Sequence, residues 1–130
     1  ATDLGFVVAP RLNAAGLRRG VVTGARMFVI AATLRSHAMA PEFEVVVSAD
    51  EVVHSKPAPD CYLLALQQMG LQANEAVAFE DTEHGVASAI AAGVACVAIP
   101  TPMSAAQDFS AATVVVLDMA AAVDWVLKRG

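Results

Sequence analysis

The sequence has 130 residues, the length of one domain or of part of one. Hydrophobic residues make up 57% and charged residues 16%, which provides ample material for a core and fits a heavily buried parallel sheet. The net charge of −5, with only eight Lys and Arg, argues against nucleic acid as a partner, so an anionic ligand would need a local site.

Apolar periodicity and turn-forming residues predict strands alternating with helices along most of the chain. In chain order, the predicted elements are a short helix over 7–15 capped by Gly16, a strand over 17–23 turning at Gly24, a helix over 26–39, a strand over 43–47, a proline-rich loop over 54–59, a helix over 60–69 ended by Gly70, a strand over 76–79, a helix over 85–92 capped by Gly93, a strand over 94–99, an edge strand over 114–117 and a final helix over 119–128.

This alternation predicts right-handed βαβ units and a parallel sheet. In open sheets of that kind, ligands bind beyond the carboxyl ends of the strands. Three strands lead there to residues able to carry chemistry: Thr23 with Gly24, the loop that reaches Lys56, and Glu80 with Asp81. Their convergence is the strongest indication of a site that comes from the residues alone.

Thr23, Gly24 and Lys56 are candidate phosphate-binding residues. A hydroxyl beside a glycine-freed backbone can offer O–H and N–H groups to a phosphate oxygen, although an ordinary strand-to-helix turn capped by Thr23 is the more common meaning of this pattern. The prolines after Lys56 restrict the backbone and so direct its ammonium group, which would stabilise a phosphoryl group. The alternative is a solvated lysine in a polar loop.

Glu80 and Asp81 are candidate metal ligands. Adjacent carboxylates at the end of a strand repel each other unless a cation lies between them, and Mg²⁺ prefers such hard oxygen ligands. The alternative, a helix N-terminus capped by Thr82 or Asp81, is compatible with a metal site. His84, at a predicted helix start, is a weaker candidate, and His37 and His54 lack metal-ligand spacing.

Two further features bear on location. Cys61 and Cys96 lack CxxC spacing, which indicates small buried residues in a reducing compartment, although two cysteines could in principle pair. The uncharged stretch 85–107 has the length of a membrane span, but one glycine and two prolines interrupt it and Ala and Ser dominate it. A cytoplasmic protein without a membrane partner is therefore expected.

Three motifs, in this order, resemble those of the haloacid dehalogenase superfamily. They are Val-Val-Thr-Gly at 21–24, Ser-Lys-Pro-Ala-Pro-Asp at 55–60 and Phe-Glu-Asp-Thr-Glu-His-Gly at 79–85. They are most similar to the branch that holds β-phosphoglucomutase, phosphoglycolate phosphatase and the CbbY-type sugar phosphatases. The resemblance implies an α/β fold, with a Rossmann-like three-layer α/β/α core and a parallel sheet, over residues 1–130.

The resemblance also implies a role for each matched residue. Thr23 and the following backbone amide would hold the transferring phosphoryl group. Lys56 would neutralise that group and the nucleophile, so Thr23 and Lys56 are the expected catalytic residues. Glu80 and Asp81 would position Mg²⁺, at least one of them through water. The implied activity is hydrolysis of a small phosphorylated metabolite, such as a sugar phosphate or a phosphoglycolate-like compound.

The sequence departs from the family pattern at its beginning. Family members start with a strand that ends in Asp-x-Asp, whose first Asp is the nucleophile that forms an aspartyl-phosphate. Asp3-Leu4-Gly5 has a glycine where the second Asp belongs, and the helical cap domain is absent. We therefore expect a partial family core that lacks the central strand and leaves a gap in the sheet, which the missing N-terminal half or another chain would fill.

Three functions follow from this pattern. The first is a magnesium-dependent phosphatase whose nucleophile lies outside this sequence. The second is an isomerase resembling β-phosphoglucomutase, which only the absent cap residues would distinguish. The third is a catalytically inactive fragment or interaction module, favoured by the lack of a nucleophile.

Overall fold

The computed structural model describes residues 4–13, 16–23 and 43–129, which form a six-stranded sheet with helices on both faces. The strands are β1 (Leu4–Asn13), β2 (Gly16–Thr23), β3 (Val45–Val47), β4 (Val77–Glu80), β5 (Ala95–Ala98) and β6 (Val114–Val115). The helices are α1 (Asp60–Met69), α2 (Glu83–Ala91) and α3 (Met119–Arg129), and short 3-10 turns lie at Ala49–Glu51 and Ala73–Glu75.

Most predicted elements are present with small shifts of their ends. Helix α1 has the predicted bounds, and Gly70 ends it in the left-handed conformation at φ 68°. Strand β2 begins one residue earlier than predicted, while β3, β5 and β6 are shorter. Helix α2 begins two residues earlier, with Gly93 left-handed just beyond its end at φ 82°. The predicted helix over 26–39 lies outside the described residues, as does Gly24.

The helix predicted over 7–15 is wrong, because these residues belong largely to strand β1 and Gly16 begins β2 instead of capping a helix. Val7 and Val8 are both buried, on opposite faces of the sheet, as a central strand covered on both sides requires. Pro10, which has no amide proton, falls within a register shift of the β1–β2 pair, where a missing ladder hydrogen bond is tolerated.

The sheet has the order β3-β2-β1-β4-β5-β6 and is mixed, which corrects the expectation of a parallel sheet. The pairs β2–β3, β4–β5 and β5–β6 are parallel, but β1 runs antiparallel to both of its neighbours. The predicted gap between β2 and β4 is also wrong, since β1 of this chain occupies it. No edge therefore remains open between these two strands.

The two faces of the sheet carry separate hydrophobic clusters. Helices α1 and α2 pack on one face, where Tyr62, Ala65 and Val86 are buried with residues of the sheet. Helix α3 packs on the other face through Ala122 and Val126. This is the predicted three-layer α/β/α arrangement, and the α/β fold class is confirmed.

The described residues give two further results on the sequence. Cys61 and Cys96 are free and buried, as predicted for small core residues, and burial raises the pKa of the Cys96 thiol to about 12. The longest helix among the described ranges, α3, has 11 residues, and none of these helices is long and apolar enough to cross a bilayer.

Candidate active site

The candidate site lies at the carboxyl ends of β2 and β4, on either side of β1. Thr23 is the last residue of β2 and is buried, and Glu80 is the last residue of β4. Because β1 is antiparallel, its first described residue, Leu4, pairs with Thr23 at this edge of the sheet. The two strand ends that the sequence singled out therefore lie one strand apart.

Lys56 joins these two strand ends. Its Nζ donates to the Val22 carbonyl oxygen at 3.2 Å and to Glu80 Oε2 at 2.8 Å. The side chains of Lys56 and Glu80 are only 3% and 0% exposed, so this is a buried ion pair. The alternative of a solvated loop lysine does not hold.

Tyr62 completes the surroundings of the Glu80 carboxylate. Its hydroxyl donates to Oε2, the oxygen that also accepts from Lys56, and its ring centroid lies 5.6 Å from Lys56 Nζ. Tyr62 is fully buried, and burial followed by the negative charge of Glu80 holds its pKa well above the usual value. The hydroxyl therefore stays protonated and remains a donor at neutral pH.

Two glycines make room for the Glu80 carboxylate. A Cβ atom built on Gly5 of β1 would overlap Glu80 Oε2, and one built on Gly85 of α2 would overlap Glu80 Oε1. The side chain thus passes between strand β1 and helix α2 at these two glycines. Gly5, noted in the sequence as a departure from the Asp-x-Asp pattern, has this structural role.

Asp81 is placed differently from its neighbour. Asp81 lines a cavity of about 250 Å³ together with Phe79, which belongs to the hydrophobic cluster packed against helix α3. Glu80 also bonds to Lys56 and to Tyr62 of helix α1, which packs on the other face of the sheet. The other residues that line this mostly apolar cavity are Phe6, Glu80, Ile99, Thr101 and Met119. Both acids therefore line the same cavity, and Glu80 is in addition paired with Lys56.

The residues described do not fit a Mg²⁺ ion bound directly to Glu80 Oε2. That oxygen already accepts from an ammonium group and a hydroxyl, and both donors would have to leave before a cation could bind. Within the described ranges, no group of three or more His, Cys, Asp or Glu side chains is arranged to hold a metal. Mg²⁺ at Glu80 and Asp81 stays a prediction.

The start of helix α2 follows the acidic pair. Thr82, not Asp81, is its N-cap, with Oγ1 accepting from the Gly85 amide at 3.1 Å. The Gln107 side chain accepts from the Glu83 amide at 2.8 Å and so ties the segment after β5 to this turn.

The two histidines that the structure describes are both exposed. His84 is exposed, and His54 contacts Asp60 Oδ2 through Nδ1 at 3.3 Å on the outside of the Lys56 loop. His37 is outside the described residues.

Sequence reasoning missed Tyr62, Gly5 and Gly85 as parts of the site. Tyr62 lies on the predicted helix 60–69, where an aromatic residue ordinarily indicates a core position. Its hydroxyl is a signal, because a buried tyrosine must satisfy a polar group. No local pattern indicates which group it contacts.

Comparisons with known proteins agree with this architecture. The family model of haloacid dehalogenase-like hydrolases matches residues 9–99. The CbbY protein of Rhodobacter capsulatus is 42% identical over 86% of the chain, and fructose-1-phosphate phosphatase YqaB of Escherichia coli is 43% identical over 57% of it. The chain covers 51% and 39% of these two proteins, so it spans about half or less of their lengths.

A solved structure shows the same relationship in three dimensions. A haloacid dehalogenase-superfamily hydrolase of subfamily IA from Geobacter sulfurreducens matches with a TM-score of 0.69 and 27% identity, over 82% of this chain and 47% of that one. The sequence motifs and both comparisons agree. The chain belongs to the haloacid dehalogenase-like hydrolase family.

Proposed function

We propose that these residues form part of a phosphatase that acts on a small phosphorylated metabolite, with a sugar phosphate as the substrate class. The observation that carries this proposal is the position of Lys56, whose ammonium group bridges the ends of β2 and β4 beside Thr23 and Glu80. The substrate class is supported by the similarity to a fructose-1-phosphate phosphatase.

In this proposal, Thr23 and Lys56 bind the phosphoryl group, with the backbone at Gly24 contributing an amide. A phosphoryl group gains most from a cation and hydrogen-bond donors that are already fixed in place, because no reorganisation is then needed as charge develops. Glu80 and the Val22 carbonyl fix the ammonium of Lys56. Mg²⁺ is the expected cofactor, and the described residues assign no step to it.

A second candidate is a non-catalytic module, and one observation favours it. Strand β1 occupies the centre of the sheet, where the family resemblance places the nucleophilic aspartate, but Leu4–Asn13 contains no Asp or Glu. Without a carboxylate on that strand, the site binds a phosphoryl group but has no group there to attack it. Under this candidate, the chain retains the family fold and its ligand affinity without turnover.

An activity assay separates the two candidates. The product of the complete open reading frame that encodes the chain is incubated with Mg²⁺ and either fructose 1-phosphate or p-nitrophenyl phosphate, and released phosphate is measured. A phosphatase should turn over the sugar phosphate, with kcat/KM at least about 100-fold lower in Lys56→Ala, since a fixed positive charge is lost. Lys128→Ala is the matched control, because Lys128 is 77% exposed on α3, and it should retain full activity.

The same assay on the 130-residue chain should give no turnover, because its central strand carries no carboxylate. Turnover by this chain that Lys56→Ala abolishes would overturn that expectation. If the open reading frame product hydrolyses neither compound, the phosphatase proposal fails. Binding of inorganic phosphate to the inactive product would then support the non-catalytic module.

A further inference from the structure

Glu80 Oε2 accepts hydrogen bonds from two side chains that lie close together in the sequence. Lys56 lies in the loop before α1, and Tyr62 lies in the first turn of that helix. Helix α1 begins at Asp60, and its first turn closes with the Leu63 amide donating to the Pro59 carbonyl at 3.0 Å. Backbone hydrogen bonds order both the Lys56 loop, through Ala58 to Ser55, and the helix start that carries Tyr62, and both side chains donate to Glu80.

We propose that Tyr62 is a positioning residue for Lys56, acting through Glu80, which is the buried counter-ion of Lys56. The hydroxyl of Tyr62 fixes Oε2, and Oε2 in turn fixes the ammonium group between the ends of β2 and β4. The tyrosine ring supports the same position from the side, with its centroid 5.6 Å from Nζ.

The surroundings of the carboxylate show why the hydroxyl matters. Gly5 and Gly85 leave room for the Glu80 side chain but offer it no side-chain donor. Removing the hydroxyl takes a hydrogen bond from a buried carboxylate, which is among the stronger hydrogen bonds in a protein. Oε2 then loses one of the contacts that hold it in place, and the Lys56 ammonium that bonds to it is less tightly fixed.

The chain offers a direct readout, because Lys56 and Lys128 are its only lysines. Their side chains are 3% and 77% exposed, so an amine-specific reagent distinguishes them. The folded protein is treated with a short pulse of N-hydroxysuccinimidyl acetate, and acetylation of each lysine is measured by peptide mass spectrometry. Lys128 serves as the internal reference in every sample.

In the unmodified protein, Lys56 should be acetylated at least about 100-fold more slowly than Lys128, since reaction requires local opening of the buried pair. In Tyr62→Phe, which keeps the ring, the Lys56 rate relative to Lys128 should rise about tenfold, equivalent to about 1.4 kcal/mol. Val126→Ala is the control for general destabilisation. Val126 is buried on the opposite face of the sheet, so its truncation should leave the Lys56 rate unchanged under native conditions.

Each outcome decides the inference. A tenfold rise in Tyr62→Phe with no rise in Val126→Ala supports it. Equal rises in both variants, or no rise in Tyr62→Phe, overturn the role of Tyr62. Equal labelling of Lys56 and Lys128 in the unmodified folded protein overturns the buried pair itself, even if Tyr62→Phe does not fold. The readout uses no phosphate, so failure of the proposed function would not be confused with failure of this inference.

Discussion

Lys56 and Glu80 should depend on each other for the stability of the fold. The perturbation is a double-mutant cycle with Lys56→Met, Glu80→Gln and the combined variant. Methionine keeps much of the length of the lysine chain without its charge, and glutamine keeps the shape of the carboxylate while retaining an acceptor for the Tyr62 hydroxyl. The cycle therefore removes charge with little change in volume.

The expected magnitude follows from the geometry. At 2.8 Å and an effective dielectric constant of about 20, the attraction between the two charges is about 6 kcal/mol, most of which offsets the loss of hydration of two buried ions. Removing one partner leaves the other charge buried and poorly compensated. Each single variant should therefore lose about 3–5 kcal/mol of unfolding free energy, whereas the double variant should recover at least about 2 kcal/mol of the summed loss.

Urea denaturation followed by circular dichroism at pH 7 measures these free energies, and thermal midpoints should fall by roughly 3 °C or more for each kcal/mol lost. The control cycle uses Lys128 and Asp124, which form an exposed ion pair at 3.0 Å on α3. Lys128→Met, Asp124→Asn and their combination should each change stability by no more than about 0.5 kcal/mol, because exposed pairs contribute little.

Two results would refute this reasoning. The first is a loss of less than about 1 kcal/mol in either single variant, which would mean that the remaining charge is well solvated or well paired elsewhere. The second is additivity, in which the double variant loses the sum of the two single losses. Additivity would mean that Lys56 and Glu80 stabilise the fold independently and do not form a coupled pair.

Three further predictions concern the surroundings of this pair and the response to pH and metal. Gly85→Ala should destabilise the fold by about 1–3 kcal/mol in urea denaturation, because its Cβ would overlap Glu80, although alanine ordinarily favours a helix. The free energy of unfolding should fall as pH rises above about 8.5, because the Cys96 thiol ionises near that pH in the unfolded chain but only near pH 12 in the folded protein. Cys96→Ala should flatten this decline, as measured by urea denaturation between pH 8 and about 10. Addition of about 10 mM MgCl₂ to the 130-residue chain should move its thermal midpoint by less than about 1 °C. Glu80 is already paired with Lys56, and the described residues include no group of three or more metal-ligating side chains. A larger rise would contradict that prediction.

Much of the fold could be predicted from local sequence. Helix α1 has the predicted bounds because its signals are all local: a proline before the first turn, leucines at helical spacing and a glycine after the last turn. Strand β4 is shifted by one residue from the predicted 76–79 to Val77–Glu80, so the first residue of the acidic pair belongs to the strand. The sequence predicts a helix over 7–15 capped by Gly16, whereas most of these residues form strand β1. Its two valines are buried on opposite faces by the rest of the sheet, which no local signal reveals.

The sequence brought forward candidate residues for the site, but it did not predict which of them contact each other. The motifs brought Thr23, Lys56, Glu80 and Asp81 forward, and the structure brings Lys56 within hydrogen-bonding distance of Glu80 and of the residue before Thr23. The predicted joint role of Glu80 and Asp81 in binding Mg²⁺ stays a prediction. Glu80 contacts residues 18 and 24 positions earlier in the chain, which no local pattern encodes.

The sequence by itself determined the family, the alternation of strands and helices after residue 43, and which polar residues follow the strands, because these properties depend on motifs and on short-range periodicity. Only the tertiary structure decided that β1 runs antiparallel through the centre of the sheet. It also decided that Glu80 forms a buried ion pair with Lys56 and accepts a hydrogen bond from the Tyr62 hydroxyl. The physical reason is common to both. Strand direction and the pairing of a buried charge depend on contacts between residues far apart in sequence. These contacts form only when the whole sheet packs and excludes water.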